Sequence, residues 1–119
     1  MDVLGSQGQL LLRLLSSAQE NARVVAGNIS NQNTPGYKRR EHSFETLLAD
    51  EMQSSTPDLA GIQPTTTTDE LSPARGDGNN VVLENEINNL RETVVRYELY
   101  ASMLKNRANL IRSAIHGER

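Results

Sequence analysis

Two stretches of the chain repeat an apolar or small residue at alternating intervals of four and three. In the first, Leu4, Gly8, Leu11, Leu15, Ala18, Ala22, Val25 and Ile29 fall on one stripe, and the spacing predicts an amphipathic helix near 4–32. In the second, Leu83, Ile87, Leu90, Val94, Tyr97, Ala101, Leu104, Ala108, Ile111 and Ile115 keep the alternation unbroken and predict a helix near 80–116. Roughly 33 residues at about 1.5 Å each give a rod of about 50 Å. Beside this seam run Glu84, Arg91, Glu98, Lys105 and Arg112, a mixed-sign row of the kind that sets helix pairing. Glu92 and Arg96 add a favourable i, i+4 pair.

The simplest use of two seams is to bury each other. The expected fold is therefore all-α: two long terminal helices in a coiled-coil-like hairpin, joined by a long irregular loop. It divides into an N-terminal helix and turn over 1–36, a polar acidic linker over 37–79 and a C-terminal helix over 80–119. Apolar surface remains after that pairing. Val95, Leu99, Met103 and Leu110 form a second stripe on the far side of the second helix, and Leu10, Leu12, Leu14 and Val24 lie off the first seam. Surplus faces of this kind point to packing against other chains. The small residues Gly8, Ala18, Ala22, Ala101 and Ala108 allow close approach but bury little area, so a free subunit is expected to be marginal.

Composition agrees with a chain that leans on partners. With 119 residues it has room for one small domain or one subunit. It has no Trp and a single phenylalanine, Phe44, so an independent core lacks its usual bulky anchors. Charge is unevenly placed. Residues 1–40 carry 5 basic and 2 acidic side chains, and residues 91–119 carry 6 and 3, whereas residues 45–86 hold 9 acids against the single Arg75. That middle, with Pro57, Pro64, Pro73 and four consecutive threonines, reads as a loop that orders on assembly. The absence of cysteine excludes disulfides and thiolate metal sites. No apolar run reaches a membrane-spanning length, since Arg13 interrupts the block Leu10 to Leu15. No secretory cleavage pattern follows that block either, so a chain that leaves the cytosol is expected to keep its N-terminus.

Between the first helix and the loop lies Asn28-Ile29-Ser30-Asn31-Gln32-Asn33-Thr34-Pro35-Gly36-Tyr37. Asn tolerates the left-handed conformation that ends helices, Pro35 cannot continue one, and Pro-Gly suits the centre of a type II turn. Asn31, Asn33 and Thr34 can bond the backbone groups freed there. A helix stop explains Pro35 and Gly36; it explains less well three asparagines and an exposed-looking Tyr37 followed by Lys38-Arg39-Arg40.

The spacing Asn28, Asn31, Thr34, Pro35, Gly36, Tyr37 resembles the Asn-x-x-Asn-x-x-Thr-Pro-Gly-Tyr motif of the bacterial flagellar rod and hook axial proteins. Short length, Gly78-Asn79-Asn80-Val81 before the second helix, Arg96-Tyr97 and Leu110-Ile111-Arg112-Ser113-Ala114-Ile115 look most like the proximal rod subunits. The likeness covers roughly 4–45 and 78–115. It implies a basal-body rod subunit that is exported through the flagellar type III apparatus without signal cleavage and assembles helically in the periplasm. Its partners would be copies of itself, other rod proteins, the basal adaptor FliE and the export gate, and it would transmit torque. The family often has an acidic cap where this chain has Val82, which leaves Asn79 or Asn80 to accept the orphan amides.

Other chemistry is poorly supported. His42 and His116 lack metal-ligand spacing, so no metal, cofactor or catalytic residue is expected. Glu84 and Glu86 sit where carboxylates face a helix N-terminus rather than as an acid/base pair. Lys38-Arg39-Arg40 is followed by acids and has no interleaved aromatics, so it reads as a solvated turn or an intersubunit contact rather than a nucleic-acid site. Two rivals stand: another rod subunit such as FlgC, and a cytosolic coiled-coil adaptor or secretion chaperone using the same heptads on one partner helix.

Overall fold

The computed structural model describes residues 5–117, so Leu4 of the first seam lies outside the described residues. The two long helices form as the periodicity predicts. α1 spans Gly5–Ser30 and α3 spans Leu83–His116, with β1 (Arg40–Ser43), α2 (Glu45–Met52) and β2 (Thr65–Thr68) between them. α1 lies antiparallel along α3, and the molecule is elongated, 64 × 32 × 19 Å.

The middle is not the irregular loop that its composition suggests. β1 and β2 pair antiparallel with Arg40 opposite Thr68 and Ser43 opposite Thr65, so the fold is mostly helical with a small sheet rather than all-α. The threonine run supplies β-branched side chains that suit a strand, and pairing satisfies backbone groups that a polar loop would leave to water. A short 3-10 turn, Leu59–Gly61, precedes β2 and is capped by the Asp58 carboxylate, which accepts from the Gly61 amide at 3.2 Å.

A compact core forms where this middle meets α1. Phe44, at the start of α2, is buried with Leu48, Ala18, Val24, Val25 and Val81. The Arg13 guanidinium lies 4.9 Å from the centre of the Phe44 ring, and its Nη1 donates to the Leu59 carbonyl at 3.0 Å. One cation thus covers the only Phe and ties the linker to α1.

The seams are occupied unevenly. On α1, Gly8, Ala18 and Val25 are buried, and Leu11, Leu15, Ala22 and Ile29 are half-buried. On α3, Ile87, Leu90, Tyr97, Ala101, Leu104, Ala108 and Ile111 are half-buried, but Leu83, Val94 and Ile115 are exposed, Ile115 to 73%. The most buried α3 residues are instead Glu86 and Thr93, each 2% exposed. The helix has rotated so that the row 86, 93, 100, 107 faces inward beside 90, 97, 104, 111. The reason is on α1, where Asn21 and Asn28 require polar partners.

The predicted cap also differs. Val82 stands at the N-cap of α3 with no side-chain bond, while Asn79 and Asn80 bond elsewhere. The other end of α3 closes on Gly117 in the left-handed conformation (φ +66°), with the amide donating to the Ser113 carbonyl.

Candidate assembly site

Thr34-Pro35-Gly36-Tyr37 forms the type II turn, with Gly36 at φ +76° and the Tyr37 amide donating to the Thr34 carbonyl at 3.2 Å. Asn31 stabilises the approach to it: its Nδ2 donates to the Gly27 carbonyl at 2.8 Å and its Oδ1 accepts from the Thr34 hydroxyl at 3.1 Å. Among the described residues only glycines have positive φ, so no asparagine here ends the helix in the left-handed conformation. Gly78 (φ +85°) packs against this turn, and a Cβ there would lie 3.3 Å from the Cα of Gly36. The backbone of the 77–81 segment thus closes over the turn.

Asn28 is the centre of the site. Fully buried, it uses all four hydrogen-bonding positions of its amide. Nδ2 donates to Glu86 Oε1 at 2.7 Å and to the Arg40 carbonyl at 2.9 Å, while Oδ1 accepts from the Arg40 amide at 2.9 Å and the Tyr37 hydroxyl at 3.0 Å. Tyr37, read as exposed from sequence, is half-buried and committed to this bond. Pro35 and Gly36 remain at the surface.

Glu86 carries the network onward. Its Oε2 accepts from Arg39 Nε at 2.9 Å, and the same guanidinium reaches Asp69 Oδ2 at 3.0 Å and the Glu41 carboxylate. Arg39 is therefore an internal ion-pair hub rather than part of a solvated basic run, and Glu86 is a buried partner rather than a carboxylate facing a helix end. Burial alone would lower the Arg39 pKa; the carboxylates of Glu41, Glu86 and Asp69 raise it overall. Bonds from the Ser72 hydroxyl and amide, with Arg39, hold the Asp69 carboxyl well below the usual carboxylate range.

Asn79 and Asn80 complete the clasp. Asn79 Nδ2 donates to the carbonyls of Asn31 and Thr34, both at 2.9 Å, while its Oδ1 accepts from the Val81 amide. Asn80 Oδ1 accepts from the Arg39 amide at 2.7 Å, and its Nδ2 donates to the Asp69 carbonyl at 2.7 Å. Among the described residues, no buried side-chain nitrogen or oxygen lacks a partner. A closed network of this kind offers no spare donor to a ligand; it fixes geometry.

Further along the helices the polar contacts repeat by sevens. Asn28 meets Glu86, Asn21 Nδ2 donates to Thr93 Oγ1 at 2.7 Å, and Arg107 Nη1 donates to Gln7 Oε1 at 3.2 Å. The seven-residue steps 28, 21, 7 on α1 thus run against 86, 93, 107 on α3. Leu14 and Tyr100 occupy the intervening step, and the Tyr100 hydroxyl donates to Glu45 Oε1 at 2.6 Å; burial, reinforced by that bond, pushes its pKa up to about 12. Beside Glu45, Arg96 pairs with its carboxylate at 3.6 Å and with Glu92 at 3.8 Å. His42 bridges α1 and β2, its Nε2 2.8 Å from Ser17 Oγ and its Nδ1 3.1 Å from Thr66 Oγ1. Burial lowers its pKa, with Glu20 opposing.

Sequence reasoning singled out Asn28, Asn31, Thr34, Pro35, Gly36 and Tyr37; the last four form the turn, and Asn28 in α1 and Asn31 just after it bond to Tyr37 and Thr34. It missed the roles of Asn21, Arg39, Asn79, Asn80, Glu86 and Thr93. For Asn21, Glu86 and Thr93 the available signal was the seven-residue spacing of polar positions, which a search for apolar periodicity discards; Arg39, Asn79 and Asn80 carried no such signal.

Because polar rungs face α1, apolar side chains on α3 point outward. Val95 is 64% exposed, Leu99 53%, Met103 46% and Leu110 72%. Among the described residues, no helix is long and apolar enough to cross a membrane.

No family model matches the chain. Curated proteins do. It is 27% identical to the flagellar basal body rod protein FlgB of Bacillus subtilis over 127 aligned residues, covering 98% of each chain. The proteins of the same name from Borrelia hermsii and Salmonella typhimurium are 27% and 24% identical, covering 87% and 92% of this chain and 90% of each relative. Along nearly its whole length, the chain is similar to curated proteins named flagellar basal body rod protein FlgB.

Proposed function

We infer that the chain is a structural subunit of the bacterial flagellar basal-body rod, and not an enzyme. One observation in the fold carries the reading further: α3 spends its inward face on polar rungs and leaves Val95, Leu99, Met103 and Leu110 in water. Contiguous apolar surface of that kind on a small chain marks a face covered by other proteins. The covering partners are other rod components, including copies of the chain, packed helically against the terminal segments 1–36 and 80–119.

The clasp around Asn28, with Asn31, Thr34, Pro35, Gly36 and Tyr37, sets the angle at which the middle leaves the helices. Such a rigid joint suits a subunit that transmits torque, since a load on α3 passes through Glu86 and Arg39 to the sheet. The seam positions from Leu11 to Ile29 and from Ile87 to Ile111 hold the two helices together, while Leu83, Val94 and Ile115 join the outward face. By its resemblance, the chain passes the export gate without signal cleavage, lies in the periplasmic rod near the membrane and meets the adaptor FliE.

The test is mass spectrometry of detergent-washed hook and basal-body particles, with and without deletion of the chain. Its presence, with rods missing from the deletion strain, is the expected result. Absence from particles that still assemble would contradict the rod role and favour a cytosolic adaptor.

A further inference from the structure

The small sheet has two outer edges, and the fold treats them differently. In the β1–β2 register the Asp69 amide donates to the Arg39 carbonyl at 2.8 Å, so Arg39, Glu41 and Ser43 turn their backbone groups toward β2. Arg40 faces the other way, and there the Asn28 side chain bonds both its amide and its carbonyl, as a neighbouring strand would. By the same alternation, Thr66 and Thr68 turn their amides and carbonyls away from β1. Among the described residues, nothing bonds to those groups. Thr65, Thr67 and Thr68 are exposed, and Thr66 is half-buried.

An open edge is a template for another strand. Between Thr65 and Thr68, β2 carries no charge or proline to turn one away, whereas β1 carries Arg40, Glu41 and His42.

The edge also restricts how it can pair with a copy of itself in the antiparallel arrangement, the more stable of the two. Ladder bonds are exchanged by outward-facing residues alone, so Thr66 and Thr68 must each meet one. Placing Thr66 opposite Thr66 sets Thr68 against Pro64, which has no N–H. Placing Thr68 opposite Thr68 sets Thr66 against Glu70, where the chain bends away because the Asp69 carboxylate accepts from the amides of Leu71 and Ser72, both at 3.0 Å. Thr66 opposite Thr68 completes both pairs. It also puts Thr67 opposite Thr67, a β-branched cross-strand pair.

We propose that the outer edge of β2 pairs antiparallel with the same edge of a second copy of this chain, Thr67 opposite Thr67, making a four-stranded sheet across a two-fold axis. Such a contact uses one patch on both copies and closes as a dimer. It goes beyond the rod reading and does not rest on it.

The test uses the absence of cysteine from the chain. Thr67→Cys sets two thiols opposite each other in a non-hydrogen-bonded pair, where Cα atoms lie about 4.5 Å apart and a disulfide fits. Thr65→Cys sets them four residues out of register, about 13 Å apart at about 3.4 Å per residue, beyond disulfide reach. The purified full-length variants are oxidised with copper phenanthroline and read on non-reducing gels. Thr67→Cys is expected to give a cross-linked dimer about tenfold or more faster than Thr65→Cys. Adding Thr68→Pro removes an outward N–H, leaves the ladder to β1 intact, and is expected to suppress that dimer; Thr68→Val keeps the N–H and is expected to preserve it. Equal cross-linking at the two positions, or a dimer that Thr68→Pro leaves unchanged, overturns the pairing. A Thr67→Cys chain that stays monomeric at about 1 mM also overturns it and leaves the edge to an extended segment of another protein. These outcomes are read on the purified chain, whereas the rod reading is decided by the content of basal-body particles, so the two fail separately.

Discussion

The two ends of α3 solve opposite problems. Around Glu86 the helix is closed: among the described residues every buried side-chain nitrogen and oxygen has a partner, and a single asparagine joins α1, the turn, β1 and α3. Around Leu110 it is open, with leucine, isoleucine and cations in water. The closed end holds the fold of one chain by hydrogen bonds, whose geometry is specific but whose net contribution is modest. The open end leaves apolar area, worth about 25 cal/mol per Å² when buried, outside the fold of the single chain, and the proposed rod role gives that area to contacts between chains.

Removing the centre of the closed end gives the largest effect. Asn28→Ala strands Glu86, Tyr37 and the Arg40 backbone in a buried site, and is expected to cost about 3 to 5 kcal/mol, comparable to breaking a buried charged pair. Urea unfolding followed by circular dichroism should show the midpoint collapse. A shift within about 0.5 kcal/mol, the range for surface sites, would mean that the hub holds nothing.

Next comes the turn. Gly78→Ala places a Cβ against Gly36 in a left-handed conformation, and should cost about 1 to 3 kcal/mol; Gly36→Ala, where no neighbour lies within 4 Å, should cost about 1 to 2 kcal/mol from conformation alone. Thermal unfolding of the pair separates crowding from backbone strain, and equal costs would remove the close packing from the explanation.

Acid has a smaller and predictable effect. The folded pKa of Asp69 is depressed, so its stabilisation is complete above the ordinary carboxylate range and is lost as pH falls below about 4. His42 is also depressed, so the folded state prefers it neutral and stability declines as pH falls through about 6.5. Melting temperature should decline in both windows, with Asp69→Asn flattening the lower one and His42→Gln the upper. A profile unchanged by either substitution would take these groups out of the clasp's energetics.

The sequence made the two helices plain because seven-residue repeats persist through 26 and 34 residues. It left their phase ambiguous. Leu90, Tyr97, Leu104 and Ile111 belong to the inward face whether the companion row is 87, 94, 101, 108 or 86, 93, 100, 107, and apolar counting favours the first. Asn21 and Asn28 decide for the second, through partners distant in sequence. The Thr-Pro-Gly turn was legible because Pro and Gly restrict the backbone locally. The clasp was not, since Arg39, Asn79 and Asn80 each look like surface residues until the chain folds back on itself. The sheet was hidden for a similar reason: four threonines fit a strand, but only Arg40–Ser43 opposite them makes it one.

The separation of roles along α3 is tested most directly by Leu99→Ser with Leu110→Ser, comparing urea unfolding of the purified chain with its incorporation into basal-body rods. Both residues are more than half exposed. The expected result is an unfolding free energy within about 0.5 kcal/mol of wild type, together with loss of the chain from the rod. Normal incorporation, or a large loss of stability in the isolated chain, would contradict the assignment of this face to neighbouring subunits.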